Sequence, residues 1–545
     1  MEQTIYKSDV LVIGKGLAGV RAADAAVRSG ARVIVANKAS GSSPDVMGFN
    51  TTIGADDSVE DYIEDTMRSG GYINNRLLAS RLAENSNSEI TFLEDLGVSF
   101  DRNPDGGYNL MQTLGSSHKR MVHYQSLTGA TALKLLLDDC RRRGVEFVEP
   151  VMILSLLKHD GRVVGASGLD LRGGGLIFFQ SEAVVLATGG CGDIYPLTSY
   201  PKGITGDGYA MAFRAGAELV DMEFLQYDPC GFVTPPALRG RVMVTTLLNE
   251  GAELYNRDNE RFVVEDYGTY NIQKSEIARR IYMEIRAGRG TLNGGVYYDM
   301  TKLPHDRVAI DHNLFYNPAH AAGIDLTKEP AEVAPLAHSC VGGLVIDRDC
   351  ATTVEGLFAA GEVTGGVHGA NRIGGSAGTE IFVFGCVAGN SAARYAAKWS
   401  GEPAQGLIEE SAARERETFE GWRGQKGGAS PGEMRERAAK AINNGIGIIR
   451  NGKGIGDCLR DLQNIEDELG SLDIETPGDL MDCYTLRNTL TVAKIQATAS
   501  DMRKESRGVF YREDYPAEDD KWTRNIYTGL GGDGGASVRV ADPVK

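Results

Sequence analysis

The chain has 545 residues, of which 42% are hydrophobic and 24% charged. This composition predicts a folded protein of about three or four domains and excludes a disordered or fibrous chain. Its 57 Lys and Arg residues against 74 Asp and Glu leave a net charge of −17, which would repel nucleic acid and anionic lipid. No window approaches about 18 continuous apolar residues, and the first residues lack a signal-peptide pattern. We therefore expect a cytoplasmic protein with no direct membrane span.

The first predicted elements form a βαβ unit. Residues 9–13 are an apolar strand, Gly14-Lys15-Gly16-Leu17-Ala18-Gly19 follows, an alanine-rich helix extends to about residue 28, and residues 32–36 form a second strand. A G-x-G-x-x-G turn in this setting binds a dinucleotide, because its glycines permit the turn, the approach of backbone amides to a pyrophosphate and close helix–strand packing. Asn37, after the second strand, can hydrogen-bond a ribose hydroxyl. A glycine-rich turn without a ligand is the weaker alternative.

Two later strands are predicted to return to the same sheet. Residues 183–187 end in Thr188-Gly189-Gly190, and residues 357–360 end in Gly361-Glu362-Val363. Glycines and polar groups at the carboxyl ends of parallel strands would touch an extended cofactor that lies across the sheet. This arrangement favours FAD over NAD.

Composition also divides the chain. Residues 226–335 shift to mixed loops and charged helices, and residues 405–507 carry apolar positions at helical spacing. We predict an α/β fold in which a doubly wound, Rossmann-like FAD-binding domain (1–225 and 336–404) holds an inserted α+β capping domain (226–335). A C-terminal helical domain (405–507) and an extended tail (508–545) follow.

The cysteines exclude a metal cluster in this chain. No two of them are separated by two residues, so neither zinc nor iron–sulfur spacing is present and no metal site is predicted. We expect them to be reduced and mostly buried. Any iron–sulfur cluster that exchanges electrons with the protein would belong to another polypeptide. The eight cysteines stand at 140, 191, 230, 340, 350, 386, 458 and 483.

Several motifs resemble those of the flavoprotein subunits of succinate dehydrogenase and fumarate reductase and of L-aspartate oxidase, in family order across nearly the whole chain. The resemblance implies an FAD-dependent oxidoreductase with a mobile capping domain over the FAD domain. The motifs are Thr205-Gly206-Asp207-Gly208, Met222-Glu223-Phe224-Leu225-Gln226-Tyr227, His338-Ser339-Cys340-Val341-Gly342-Gly343, Gly361-Glu362-Val363, His368-Gly369-Ala370-Asn371-Arg372 and Arg503-Lys504-Glu505-Ser506-Arg507-Gly508.

The resemblance and the βαβ unit together predict the FAD-binding residues. Succinate dehydrogenases tether FAD through a histidine shortly after the second strand, whereas residues 40–53 of this chain contain none, which indicates non-covalent FAD. The predicted residues are Gly14, Gly16, Leu17, Ala18, Gly19, Asn37, Lys38, Ala39, Ser40, Gly48, Ala187, Thr188, Gly189, Asp207, Glu362, Arg372, Gly375 and Ala377.

For the substrate, the resemblance implies hydride transfer between flavin and a carbon near a carboxylate, helped by fixed cations and one proton donor. Arg372 and His338 align with two family substrate-binding residues, although a structural ion pair and a structural histidine are alternatives. Four family positions differ. Asp228 replaces a histidine, Thr245 replaces a glutamate and Leu248 replaces an arginine. Lys274 replaces the arginine that acts as general acid or base.

We predict Lys274, His338 and Arg372 as catalytic and Asp228 and Leu248 as substrate-binding, with a plain surface lysine as the alternative for Lys274. Because an acceptor and an apolar side chain replace half of a dicarboxylate clamp, the expected substrate is an organic acid other than fumarate or succinate. Its far end would be neutral, apolar, hydroxylated or cationic, and thioester and steroid-like acids stay open.

Three residues that precede Asp228 in the chain complete the predicted site. His118, Arg120 and His123 resemble a segment of aspartate oxidase, so they are predicted to line the flavin or substrate cavity. A structural role for the two histidines is the alternative.

Three functions compete. The first is an FAD-dependent enzyme that reduces or dehydrogenates a carbon–carbon bond of an organic acid, exchanging electrons with a separate iron–sulfur subunit or other carrier. The second is amine oxidation like that of aspartate oxidase, or sulfur chemistry like that of adenylylsulfate reductase. The third is an electron-transfer flavoprotein subunit without a substrate of its own.

Overall fold

A computed structural model of the protein describes residues 3–125, 127–399, 406–422, 428–474, 476–532 and 534–545. The strands are β1 (Gln3–Ile13), β2 (Val33–Ala36), β3 (Gly48–Asn50), β4 (Met121–His123), β5 (Glu146–Val148), β6 (Val151–His159), β7 (Arg162–Asp170), β8 (Leu176–Leu186), β9 (Leu219–Val220), β10 (Leu225–Phe232), β11 (Glu253–Tyr255), β12 (Val296–Asp299), β13 (Ala331–Cys340), β14 (Gly343–Leu344), β15 (Leu357–Ala359), β16 (Asn525–Leu530) and β17 (Ala536–Ala541).

Helices surround these strands and dominate the C-terminal third. In the described part of the chain, none is both long and apolar enough to cross a membrane. The helices are α1 (Leu17–Arg28), α2 (Val59–Ser69), α3 (Arg76–Leu96), α4 (Thr128–Arg142), α5 (Asp207–Arg214), α6 (Phe262–Tyr267), α7 (Lys274–Arg286), α8 (His305–Ala309), α9 (Asn313–Ala321), α10 (Ser376–Lys398), α11 (Leu407–Trp422), α12 (Pro431–Ile446), α13 (Gly452–Asp467) and α14 (Pro477–Met502).

The main sheet confirms the predicted βαβ unit. Its strand order is β5-β2-β1-β8-β7-β6, and β15 pairs with β8. β1 runs parallel to β2 and to β8, and β15 runs parallel to β8. The carboxyl ends of these strands therefore lie at one edge, where the Gly14 turn, the Thr188 loop and Glu362 follow them.

A second sheet, β10-β13-β12-β11, has a hydrophobic core of its own. The pair β10 and β13 belongs to both cores: Leu225 and Tyr227 pack in the first, and Cys230 and Phe232 pack in the second. The strand pair thus crosses the predicted boundary between residues 225 and 226. The boundaries of the capping domain stay predictions.

The C-terminal region contains the predicted amphipathic helices, with α12, α13 and α14 packed on one another. The boundary predicted between residues 404 and 405 lies outside the described residues. The prediction of an extended tail is wrong for much of residues 508–545, because β16 and β17 form a hairpin that pairs with β9.

Candidate functional site

The phosphate-binding turn is closed by contacts that only glycine permits. Gly14 has φ +113°, and a Cβ there would lie 2.2 Å from the carbonyl oxygen of Ala187. A Cβ on Gly19 would lie 2.0 Å from the carbonyl oxygen of Gly14. Gly16 is the N-cap of α1 and has no side chain to cap the first turn, where the Leu17 amide donates to Ser43 Oγ at 2.8 Å. The next amides of this turn stand at a helix N-terminus, where a pyrophosphate would bind.

The ribose end of the site contains an acid that the sequence analysis missed. The Asn37 amide donates to Glu149 Oε2 at 3.1 Å and accepts from the Lys15 backbone amide at 3.2 Å. Glu149 also pairs with the Lys15 ammonium. Burial raises the pKa of Glu149, but the hydrogen bonds from Lys15 and Asn37 lower it more, so the net shift is downward. Glu149 directly follows β5, the neighbour of β2. This position at the end of a strand is the sequence feature from which Glu149 could have been predicted.

Lys38 lies beside the Thr205–Gly208 motif. Its ammonium is 2.5 Å from Asp207 Oδ2, and the Asn488 amide donates to Asp207 Oδ1 at 2.8 Å. Ala39 and Ser40 are exposed. The two predicted residues Lys38 and Asp207 are therefore brought together, and helix α14 supports them.

Orphaned polar atoms lie further along the predicted path of FAD. Thr188 Oγ1 and Asn50 Oδ1 are buried without a hydrogen-bond partner among the described residues. A buried polar atom without a partner is rare in a folded protein and calls for a ligand or water. Both atoms belong to segments predicted to touch FAD, so the residues present fit the cofactor.

The N-terminus of α10 closes the other end of this path. Gly375 has φ +81°, and a Cβ there would lie 2.4 Å from Asn50 Oδ1. The Asn50 amide donates to the Gly374 carbonyl oxygen at 2.7 Å. Gly48 pairs with His123 across β3 and β4. Gly375 and Ala377, at the start of α10, thus lie with Gly48 around the short sheet of β3 and β4.

Glu362 connects the FAD edge to the second sheet. Its carboxylate accepts hydrogen bonds from the Gly190 amide at 3.1 Å, from the Cys340 amide at 2.9 Å and from the Tyr200 hydroxyl. Burial raises the pKa of this carboxyl. Glu362 is therefore fixed between the Thr188 loop and the end of β13.

Strand β10 positions two cations with alternate side chains. Gln226 and Asp228 lie on one face because successive strand residues alternate. The Arg372 Nη2 donates to Gln226 Oε1 at 2.8 Å, while Arg372 Nε is buried and has no partner in the described part of the chain. Burial lowers the pKa of Arg372. One donor of this guanidinium is thus free for a ligand.

The second cation is Lys274, at the first turn of α7. Its ammonium is 2.8 Å from Asp228 Oδ2, a buried carboxylate. Burial raises the pKa of Asp228, but the charge of Lys274 and its hydrogen bond are the main opposing causes and the net shift is downward. Asp228 is therefore an anion paired with Lys274, and Lys274 is held at a buried group although 37% of its side chain is exposed.

His338 stands between these cations. Its Nδ1 is 3.0 Å from Ser199 Oγ, and its Nε2 has no hydrogen bond to any described residue. Burial lowers the pKa of His338 to about 4, with Asp228 opposing and Arg372 and Lys274 assisting. The ring is neutral near pH 7, and Nε2 is open to a ligand.

Two other predicted residues have different surroundings. Arg120 is fully buried and its guanidinium is engaged by Asp57, at 2.7 Å, and by Asp65. All three guanidinium nitrogens take part in this ion-pair network, and a contact of Arg120 with substrate stays a prediction. The buried Leu248 packs in the second core, and its contact with substrate stays a prediction.

The two upstream histidines differ. His123 Nδ1 is 2.9 Å from Asp101 Oδ2, and its Nε2 is buried without a partner in the described chain. His118 is half-exposed, with Nε2 3.8 Å from Asp61 Oδ2. Of the two, His123 is the one that pairs with Gly48 on the path predicted for FAD.

Comparisons with known proteins identify the relatives of this chain. The family profile "FAD binding domain" matches residues 9–377, and "Fumarate reductase flavoprotein C-term" matches residues 435–539. The chain is 36% identical over 543 residues to a subunit of the fumarate reductase (CoM/CoB) of Methanothermobacter marburgensis, covering 96% of this chain and 98% of that protein.

Two further relatives extend the comparison. L-aspartate oxidase of Streptomyces coelicolor is 30% identical over 557 residues, covering 98% of this chain and 93% of that protein. The solved structure of FrdA from Escherichia coli quinol fumarate reductase superposes with a TM-score of 0.92 at 28% identity, covering 99% of this chain and 97% of that one.

Proposed function

The chain belongs to the family of FAD-dependent fumarate reductase and succinate dehydrogenase flavoproteins, and from that premise we propose which bond it acts on. It transfers hydride between FAD and a carbon–carbon bond next to a carboxylate of an organic acid. FAD supplies the hydride-carrying ring, and the residues of this chain bind the acid, orient it and move the proton.

The observation that carries the proposal is the placement of two cations around His338 by one strand. The free Nε–H of Arg372 and, when it carries the ring proton, the open Nε2 of His338 can donate hydrogen bonds to a substrate carboxylate. Arginine suits this task because its planar fork binds a carboxylate through more than one hydrogen bond.

Lys274 is proposed to protonate the carbon next to the one that receives hydride. Its ammonium is held by Asp228 at 2.8 Å, so the donor is fixed rather than mobile, as general acid catalysis requires. Gln226 and Asp228 are positioning residues, since each acts through the cation that it binds.

The charges of the site set the class of acid. Arg372 and Lys274 are two cations, Asp228 is one anion, and His338 is neutral, so one net positive charge faces the substrate. This suits an acid bound through one carboxylate, whose far end carries no second charge of the same sign. The proposed substrate is therefore an organic acid other than fumarate or succinate.

Fumarate itself is the second candidate, because the relative at 36% identity is named a fumarate reductase. Amine oxidation loses its main support. Asp228 is the feature that would favour an ammonium group on the substrate, and that carboxylate is already paired with Lys274.

The electrons are proposed to come from, or go to, a separate subunit or carrier, with an iron–sulfur protein as the expected partner. The relative from Methanothermobacter marburgensis is named as one subunit of its enzyme, which supports an assembly of more than one chain. FAD is proposed to be bound non-covalently, so that denaturation of the purified protein should release all of it.

Mixing experiments test the substrate. The FAD-loaded protein is reduced under anaerobic conditions and mixed with fumarate, monocarboxylic enoic acids, imino acids and adenylylsulfate, and flavin reoxidation is followed by absorbance. The best enoic acid with one carboxylate should react at least about tenfold faster than fumarate. Equal or faster reoxidation by fumarate contradicts the proposed substrate class.

A matched pair of variants tests the proton donor. Lys274→Met should slow reoxidation by about 10²- to 10⁴-fold with FAD still bound. Lys302→Met, an exposed lysine of the same region that pairs with Glu253, should leave the rate unchanged. An unchanged rate in Lys274→Met would remove the proposed acid role.

A further inference from the structure

Two cysteines meet where the FAD edge joins the second sheet. Cys191 directly follows the Thr188-Gly189-Gly190 loop, and Cys340 is the last residue of β13. Their sulfur atoms are 3.3 Å apart, and the Cys191 amide donates to Cys340 Sγ at 3.3 Å. Among the eight cysteines, all of which the structure describes, no other pair has sulfurs in contact.

Their neighbours place this pair against the cofactor path. A Cβ on Gly190 would lie 3.0 Å from Cys340 Sγ and 2.8 Å from the carboxyl carbon of Glu362. Cys340 Sγ therefore packs directly on the backbone of a loop predicted to touch FAD. His338 lies two residues before Cys340 on β13.

We propose that Cys191 and Cys340 are a redox-active dithiol that exchanges an electron pair with FAD. In the forward step, the two S–H bonds break and one S–S bond forms, and the thiols lose two electrons and two protons. FAD is the acceptor of both and becomes its two-electron-reduced form. The reverse step uses reduced FAD to break the S–S bond. The sulfurs need to approach by about 1.2 Å, since a disulfide bond is about 2.05 Å long.

Polar groups beside the sulfurs provide a route for the protons. The Tyr200 hydroxyl lies 3.7 Å from Cys340 Sγ and donates to the Glu362 carboxylate. The Gln496 amide lies 3.5 Å from Cys191 Sγ. Burial, which raises the pKa of Glu362, makes this carboxylate a ready proton acceptor. Glu362 can thus relay one thiol proton at a time toward FAD, which takes up both, without contact with solvent.

The consequence for function is storage of a second electron pair in the same chain. The proposal rests on FAD binding, which the family establishes, and not on the identity of the organic acid. Other cysteines have no second sulfur beside them. The sulfurs of Cys140 and Cys350, for example, lie against backbone carbonyl oxygens.

Counting electrons tests the proposal. The full-length protein with FAD bound is oxidised with diamide, freed of reagent and titrated with dithionite under anaerobic conditions. It should take up about four electrons per FAD, since the disulfide and the flavin are each two-electron couples. Cys191→Ser and Cys340→Ser should take up about two. Cys458→Ser, a buried cysteine of α13, should still take up about four.

A second measurement does not depend on the variants. Digestion of the diamide-treated wild-type protein, followed by mass spectrometry, should give a linked peptide joining Cys191 to Cys340, and this link should vanish once dithionite has reduced the flavin. An unlinked pair, a link that survives flavin reduction, or uptake of about two electrons by the wild-type protein would each overturn the proposal. These wild-type readouts decide the question even if a serine variant fails to bind FAD.

Discussion

The FAD edge of the main sheet and the proposed substrate face of β10 are built in different ways. The FAD edge relies on backbone, because Gly14 and Gly19 bring chain segments closer together than any side chain would allow. The substrate face relies on side chains from distant segments, with Gln226 and Asp228 holding Arg372 and Lys274. At the FAD edge, a larger residue in place of glycine is therefore excluded by steric clash. At the face of β10, a change of charge is what disrupts the arrangement.

The most far-reaching effect, loss of the cofactor on which every step depends, is expected at the FAD edge. Gly14→Ala places a Cβ 2.2 Å from the Ala187 carbonyl oxygen at φ +113°, and this clash should displace the turn that binds the pyrophosphate. FAD content per chain, measured by visible absorbance, should fall at least about tenfold. Gly30→Ala is the control, because its φ is +89° but nothing lies within 4 Å. It should cost about 1 kcal/mol of stability and retain FAD. Wild-type FAD content in Gly14→Ala would contradict the steric character of this edge.

At the substrate face, Arg372→Lys keeps the charge and loses the planar fork. We expect kcat/KM to fall by about 10²- to 10³-fold, because a lysine cannot bond Gln226 and a carboxylate in the same geometry. Steady-state kinetics with the best acid of the panel measures the change, and FAD absorbance checks that the cofactor stays bound. If the loss is less than about threefold, Arg372 does not hold the substrate.

Leu248→Ala tests whether this residue belongs to the second core or to the substrate. Deletion of a buried leucine side chain should lower the free energy of unfolding by about 2 to 4 kcal/mol, as denaturant titration would show. The ratio of rates for two acids in the panel should stay the same. Leu292→Ala, at a fully exposed leucine, should change neither quantity. A change in substrate ratio would return Leu248 to the site.

The smallest expected effect is a pH dependence from His338. Its pKa in the folded protein is about 4, below the ordinary value of about 6.5, so the unfolded chain binds the proton more readily. Its contribution to stability is therefore lost as pH falls from about 6.5 toward 4. Because the ring is partly exposed, wild type should lose only about 1 to 2 kcal/mol relative to His338→Gln between pH 7 and pH 4.5. If wild type and His338→Gln differ by the same free energy of unfolding at both pH values, the assignment of a neutral His338 ring is contradicted.

The same two regions differ in how far the sequence predicts them. The βαβ unit is a local pattern, since its glycines and strands lie within residues 9–36, and the sequence predicts both its order and its function. The pair Asp228–Lys274 joins residues 46 positions apart, and sequence alone assigns each residue a separate role. Both residues stand out as unusual, but their mutual neutralisation depends on the packing of α7 on β10.

Other differences have the same cause. Glu149 compensates for the missing charge at Asn37 from a neighbouring strand, which only sheet order reveals. A motif assigns Arg120 to the site, whereas its partners Asp57 and Asp65 come from another segment. The hairpin of β16 and β17 escaped prediction because β9, the strand with which it pairs, lies in a distant part of the chain.

The strand pair β10 and β13 has a mechanical consequence. One end of each strand is anchored in the first hydrophobic core and the other end in the second, so any movement of one core relative to the other would have to bend or twist this strand pair. Residues nearest the first core would then move least relative to it. Gln226, Asp228 and His338 lie on the stretch of the pair nearest the first core, so their geometry would persist while the rim of the second core swings to admit a substrate.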